Sequence, residues 1–348
     1  MRITKNYTDK PILNVNYNKT NQISFTGLKT PLTKCIFVFD LDGTLAAGTG
    51  EEIQKIIEIA KQRTAKLIYA TGRSKKEVEK LQQKLAEQQI ILPTPEYLVS
   101  NNGQFLYENI DGVLVKNTNY ETMLKQTTNF DSKKVFETMR NLAHSDEYKF
   151  SPQQLQSLEK LSEFNAIKEK DPEFYTSKIS YYEWNVSEFM SEYFVAAGVD
   201  LAKLKLDIQK ALAKNGIKTK FTEKLYPKKI MDVCNESILL QSHKLRRHDN
   251  GAMTALFLCP ADKADGIQYL RKQLDVPSAE ILIAGNDDND VSMAQLAREG
   301  THFICLNNAS DTLKTFSTLL KNTFNNIFMA KNDGAKGILE GMSEIIKG

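Results

Sequence analysis

The chain is poor in the residues that staple small or secreted proteins together. Its 348 residues include four cysteines, Cys35, Cys234, Cys259 and Cys305, far apart and without metal-ligand spacing. That excludes a disulfide scaffold and predicts reduced core thiols in a reducing, cytoplasmic setting. There are four histidines and none forms a paired motif, which argues against a zinc enzyme. No apolar run approaches the roughly 20 residues of a membrane span, so no membrane partner is expected. A formal net charge of +3 is too small to point to nucleic acid. No internal repeat or long low-complexity tract is visible. What remains, 41% hydrophobic and 26% charged residues, is ordinary for a globular chain long enough for one large domain or two smaller ones.

Residues 1–34 are rich in Asn, Thr and Lys, with six basic side chains against one acidic, and lack the apolar core of a signal peptide. They read as a flexible or loosely docked arm. From Cys35 a rhythm sets in. "CIFVF" is a continuous apolar run, as in a strand covered on both faces. "EEIQKIIEIAKQR" carries Ile53, Ile56, Ile57 and Ala60 at helical spacing. "KLIYA" is the next strand. Ser74 and Glu77 make a capping box for a helix carrying Val78, Leu81 and Leu85. "EYLVS" is a third strand, and "NNGQFLYENIDGVLV" reads as a hairpin turning near Asp111 and Gly112. Alternation returns with "ALFLCP", a helix over 264–274, "EILIAG", "HFICL" and two closing helices. Strands alternating with helices imply an α/β fold, a Rossmann-like parallel sheet with helices on both faces. Residues 117–250 break this rhythm with longer helices, many charges and strand candidates such as "SEYFVAAG" and "ESILLQSHKL". The division expected is a first core segment over 35–116, an inserted α+β domain over 117–250, and a second core segment over 251–348.

The chemistry starts in "FVFDLDGTLAAG". Asp40 and Asp42 follow the first strand and belong at the carboxyl rim of the sheet, where ligands bind in such folds. Residues two apart project to the same side of an extended strand. Two close carboxylates repel unless a cation or proton sits between them, and magnesium, with its preference for oxygen, meets that need. One aspartate can attack phosphorus; the other can protonate the leaving alkoxide and then deprotonate water. Gly43 lets the backbone turn sharply. Taken alone, the pair also reads as solvated loop acids.

The other rim segments bear on that choice. "ATGRS" puts the Thr71 hydroxyl and the Gly72 amide just before a helix N-terminus, which favours anions. Lys263, opening a helix after "ALFLCP", can neutralise phosphate charge; alone it reads as a solvated lysine. "AGNDDND" is either a metal-facing loop or a solvated turn. Four strand ends of one sheet carrying nucleophile, hydroxyl, lysine and acids make coincidence a poor explanation.

At this point the sequence resembles a family. "DLDGT", "TGR", the lysine and the Gly285–Asp290 loop look like the four motifs of the haloacid-dehalogenase-like hydrolases. The large insertion resembles the subgroup with an α+β (type IIB) cap. "LIYATGRS", "PTPEYLVSNNGQFLY", "FICLNNASDTLK" and "AKGILEGM" look most like the sucrose-phosphate phosphatase group. The resemblance implies Asp40 as nucleophile and metal ligand, and Asp42 as general acid/base with its backbone carbonyl on the metal. It implies Thr71 and Lys263 on the transferring phosphoryl group. Asn289 and Asp290 would support the metal and the lysine, and Gly72, Arg73 and Asn102 would line the substrate side. The cofactor implied is Mg2+. One position departs from the pattern. The fourth motif usually begins Gly-Asp, whereas here the residue is Asn286, an uncharged ligand; Asp287 replaces it if the loop shifts. Weaker metal binding is expected.

The implied activity is a magnesium-dependent phosphomonoesterase acting on a small phosphorylated metabolite, a sugar phosphate such as sucrose 6-phosphate, through an aspartyl phosphate. Two alternatives stay open: a phosphotransferase or mutase using the same nucleophile, and a non-catalytic protein that binds phosphorylated ligands. In the insertion, Trp184 of "YYEWNVSEF" either stacks on a sugar or fills the domain core. The basic stretch "HKLRRHDNG", with Arg246 and Arg247, reads as a solvated tip, with an anion-selecting role as the second choice.

Overall fold

The computed structural model describes residues 35–159, 168–169, 172, 175–226 and 248–347. The expected alternation is realised locally. Strand β1 (Ile36–Phe39) is buried along its whole length. Helix α1 (Gly50–Gln62) turns Ile53, Ile56, Ile57 and Ala60 inward from a Thr49–Glu52 capping box. Helix α2 (Lys75–Glu87) begins at the Ser74–Glu77 box and buries Val78 and Leu85.

β1 lies in an eight-stranded sheet with β2 (Lys66–Ala70), β3 (Tyr97–Ser100), β4 (Phe105–Ile110), β5 (Val113–Lys116), β10 (Ile281–Gly285), β11 (His302–Cys305) and β12 (Ile327–Met329). The order is β12-β11-β10-β1-β2-β3-β4-β5. The first six are parallel. β4 and β5 form an antiparallel hairpin at the edge. Its two-residue turn has positive φ at Asp111 (52°) and Gly112 (87°), the pair that matches strand twist in a tight hairpin.

Each face of this sheet is covered. One carries α1, α2 and α10 (Gly334–Lys347), with Ile338, Met342 and Ile345 packed on Phe37, Phe39 and Tyr69. The other carries α3 (Thr118–Thr128), α7 (Lys263–Leu274), α8 (Val291–Gln295) and α9 (Asp311–Lys321), packed on Val38, Ile68 and Val99. Burial on both faces explains why these strands read as continuous apolar runs.

A second sheet contains β6 (Ile179–Ser187), β7 (Met190–Val195), β8 (Lys220–Tyr226) and β9 (Met253–Cys259), ordered β6-β7-β9-β8 and wholly antiparallel. α4 (Ser132–Ala143) and α6 (Leu201–Ala213) cover one face, with Val135, Met139, Leu204 and Ile208 against Tyr193, Leu256 and Leu258. α5 (Pro152–Glu159) precedes the sheet.

Two elements differ from the order expected of the sequence. The run "ALFLCP" is expected in the first sheet, yet β9 pairs with β7 and β8 in the second. Its apolar residues fall on both faces, so the pattern does not distinguish the two sheets. α3 falls inside the expected insertion, yet Tyr120 and Leu124 pack with Ile267 and Leu270 of α7 in the first layer. A turn does close at His248–Gly251, with Gly251 N–H donating to the His248 carbonyl at 2.7 Å. The strand candidate at 236–245, the arm at 1–34, Cys234, Arg246, Arg247 and the Trp184 side chain lie outside what is described. Cys35, Cys259 and Cys305 are free and buried, and burial pushes the Cys259 thiol up to about 12. Among the described residues no helix is long and apolar enough to cross a membrane.

Candidate active site

Asp40 is the first residue beyond β1, and its amide still donates to the Ala284 carbonyl of β10 at 3.1 Å. The backbone therefore leaves the sheet between β10 and β2 with the Asp40 side chain at the carboxyl rim. That side chain is 6% exposed. Lys263 Nζ donates to Asp40 Oδ1 at 2.7 Å and to Asp290 Oδ1 at 2.7 Å. Lys263 is fully buried, a position a lysine takes only with charged partners. Burial alone would lower its pKa; Asp290 and Asp40 together outweigh that and raise it. Burial raises Asp40 to about 7, with Lys263 opposing and Asp290 adding to the rise.

Lys263 does not arrive from a strand end of the first sheet, because β9 belongs to the second. It is the first residue of α7, whose start is fixed by an Asp262–Asp265 capping box. The loop after β3 docks that start. Asn101, Asn102 and Gly103 all have positive φ, 51°, 55° and 93°. A Cβ at Gly103 would stand 1.9 Å from the Asp262 carbonyl oxygen, so only glycine allows this approach. Asn102 N–H donates to the Thr71 carbonyl at 3.0 Å, and Asn102 Oδ1 accepts from Asn289 Nδ2 at 2.9 Å. Asn289 Oδ1 in turn accepts from Lys263 at 3.4 Å. Left-handed backbone at two asparagines is strain of the kind held at functional sites.

Thr71, fully buried, follows β2, and its Oγ1 accepts from the Arg73 amide at 3.1 Å. Gly72 lies against the Asn102 carboxamide, 3.2 Å from where a Cβ would be. Arg73 grips Asp42 in a two-pronged ion pair, Nε to Oδ2 at 2.7 Å and Nη2 to Oδ1 at 2.6 Å. Asp42 thus points to Arg73 and solvent, while its carbonyl stays inside beside Asp40.

The loop after β10 supplies the remaining groups. One end of the Asn286 carboxamide lies 2.8 Å from the Asp42 carbonyl oxygen and 3.3 Å from Asp40 Oδ2. The same end meets Thr44 Oγ1 at 2.8 Å. A carboxylate, a main-chain carbonyl and an amide oxygen converging on one point is a donor set suited to a hard divalent cation. It contains a single carboxylate, and no cluster of three carboxylate, thiol or imidazole groups that could hold a metal occurs among the described residues. Asp290 stands behind this set, its Oδ2 accepting from the amides of Asn286 and Asp287 at 2.8 and 3.1 Å. Asp287, a candidate ligand in the sequence, does not join it: its exposed side chain caps the following turn through the Asp288 amide. Thus Asp40, Thr71, Lys263, Asn286, Asn289, Asp290, Asn102 and the Asp42 carbonyl form one connected cluster, with Arg73 and the Asp42 carboxylate at its mouth.

Three contributors escape the sequence reading. Thr44, fully buried, supports Asn286. Asn308 Nδ2 holds the Gly43 carbonyl at 2.7 Å, and it stands in "NNAS", a stretch quoted above only for resemblance. Lys220 of β8 bridges Asp262, at 2.8 Å, and Asp265, tying the second sheet to the start of α7. A groove of about 430 Å3 opens beside this bridge, between Lys220, Gln268, Ser292 and Arg298, and none of its lining residues belongs to the Asp40 cluster.

A parallel sheet with acids, hydroxyl and lysine gathered at its carboxyl rim, joined to a separate antiparallel sheet, is a Rossmann-like core with an α+β cap. The chain belongs to the haloacid dehalogenase-like hydrolase family, whose pattern it matches over residues 37–326. The sucrose-phosphatase from Synechocystis sp. PCC6803, solved with sucrose and phosphate, is similar in fold with a TM-score of 0.57 and 15% identity, covering 90% of this chain and 98% of that one. A haloacid dehalogenase-like hydrolase from Bacillus subtilis gives 0.51 and 14%, covering 91% and 94%. No curated protein sequence matches.

Proposed function

We propose that the protein is a phosphomonoesterase in which Asp40 is the nucleophile. The observation that carries this reading is the burial of Asp40 between Lys263 and the Asp42 carbonyl–Asn286 pair. That is a buried carboxylate with one oxygen bonded to a lysine shared with Asp290 and the other facing a cation-type donor set. Asp40 attacks phosphorus in line and the bond to the ester oxygen breaks, leaving an aspartyl phosphate. Asp42, released from Arg73 and protonated from solvent, gives that proton to the departing alkoxide, then recovers one from the water that cleaves the acyl phosphate and releases inorganic phosphate. For the first transfer the Arg73 fork must open, because both Asp42 oxygens are engaged by it. The Thr71 hydroxyl and Lys263 ammonium hold phosphoryl oxygens. A divalent cation, Mg2+ in the cytoplasmic setting expected of the sequence, would be held by Asp40, the Asp42 carbonyl and Asn286, with Asp290 behind them. It supplies charge neutralisation to the phosphoryl group.

The substrate proposed is a small sugar phosphate. Support comes from the likeness in fold to a sucrose-phosphatase over nearly the whole chain. Phosphate release from a panel of sugar phosphates and other small esters, with and without magnesium, tests the reading. Wild type is expected to release phosphate, and Asp40→Asn to lose at least about a thousandfold in rate while melting like wild type. Near-normal rates in Asp40→Asn would overturn the assignment. Release only to an added acceptor, never to water, would make the protein a phosphotransferase.

A further inference from the structure

Asn286 presents a choice that a carboxylate in its place would not have. The inner end of its carboxamide faces the Asp42 carbonyl at 2.8 Å and Asp40 Oδ2 at 3.3 Å. Both are acceptors, so an amide oxygen there faces two other oxygens with only the Thr44 hydroxyl as a donor, whereas an amide nitrogen donates to both. With nitrogen inward, both ends of the carboxamide are satisfied.

The surroundings serve either orientation. Thr44 Oγ1, 2.8 Å from the inner end, can donate to an oxygen or accept from a nitrogen. The main chain is pinned on both sides: Asn286 N–H donates to Asp290 Oδ2 at 2.8 Å, and its carbonyl accepts from Ser310 N–H at 2.8 Å. The side chain can therefore turn without the loop moving. The outer end rests on Gly43, whose φ is +72°, and a Cβ there would stand 2.3 Å from the carboxamide nitrogen. The bare α-carbon leaves the room in which the outer end swings.

We infer that Asn286 is a swivel that exchanges two internal hydrogen bonds for a divalent cation. With nitrogen inward it closes the site; with oxygen inward it completes the cation's ligands. Metal binding is then coupled to the rotation of one amide. Without metal the Asn286 carboxamide keeps hydrogen-bond partners at both ends, and affinity is low because the ligand is neutral and must first break its own bonds. The inference rests on the phosphatase reading only for the identity of the cation.

The test uses the full chain without substrate. Magnesium is titrated into protein labelled with 15N at asparagine, the Asn286 side-chain amide signal being assigned by its loss in Asn286→Asp. That signal is expected to shift, saturating with the calorimetric binding curve. Asn286→Asp is expected to bind magnesium about tenfold or more tightly, since affinity follows the charge of the ligands. It should also melt lower than wild type in chelator, because a carboxylate then faces two acceptors. An amide signal unmoved at saturating magnesium, or an aspartate variant that binds no more tightly, would overturn the swivel. If Asn286→Asp does not fold, Asn286→Ala supplies the assignment and the wild-type titration still decides. A shifting amide in a protein that releases no phosphate would keep the swivel and remove the reaction; release with a motionless amide would do the reverse.

Discussion

The two sheets solve different problems with different grammar. The first is mostly parallel and buried on both faces, and its functional groups stand where strands end. The second is antiparallel, with helices over one face, and it meets the first layer partly through charged and aromatic side chains. Lys220 bridges to Asp262 and Asp265, and Phe105 of the first sheet stacks edge-on against Phe189 at 5.6 Å. Buried polar and charged groups cluster at the strand ends of one layer, whereas the side chains between sheet and helices of the other are mainly apolar.

Three substitutions sharpen this contrast. The largest effect, on activity as well as stability, is expected from Gly103→Ala. A methyl group 1.9 Å from the Asp262 carbonyl, on backbone at φ 93°, forces the loop after β3 off the start of α7. A loss on the order of 3 kcal/mol is expected in denaturant melts, together with loss of phosphate release, since Lys263 moves with its helix. Leu256→Ala, at a fully buried position of the second sheet, should remove about 2–5 kcal/mol from that layer. Hydrogen exchange should then rise across β6–β9, α4 and α6 and stay slow in β1, β2 and β10. Equal acceleration in both sheets would mean that they unfold as one unit. The smallest effect is expected from Lys220→Ala. Its ion pairs are part-exposed, with 39% of the lysine side chain accessible, so about 0.5–1 kcal/mol is at stake. Its signature is a changed KM for bulky esters with kcat little altered; a collapse of kcat would place Lys220 in the chemistry.

Most of the first layer was legible because local rules agree there. The stripe Ile53, Ile56, Ile57 and Ala60, the Ser74–Glu77 box and the Asp111–Gly112 turn each follow from spacing or backbone preference, and each is found. The motif residues at β1, β2 and β10 were legible for a chemical reason: acids and amides crowded after an apolar strand are costly without a ligand or partner. What was not legible depends on long-range pairing. Nothing in "ALFLCP" tells which sheet it joins, so Lys263 was expected, as found, at the start of a helix, but after a strand of the first sheet rather than of the second. Asp287 and Asn286 are equally plausible ligands in sequence; only the docking of Asp290 beneath both amides turns Asn286 inward and leaves Asp287 to cap. Thr44 and Asn308 act through hydrogen bonds to groups far away in the chain, which no spacing announces.

The position of β10 has a consequence for biosynthesis. β1 is flanked by β2 on one side and β10 on the other, with Ile36 paired to Ile281. A chain emerging from the ribosome can pair β1 with β2 and β3 early, but one edge of its central strand stays bare until residue 285 has cleared the exit tunnel. During most of translation, then, an apolar strand that leads into Asp40 waits for its neighbour, and that open edge is what a nascent-chain chaperone would need to shield.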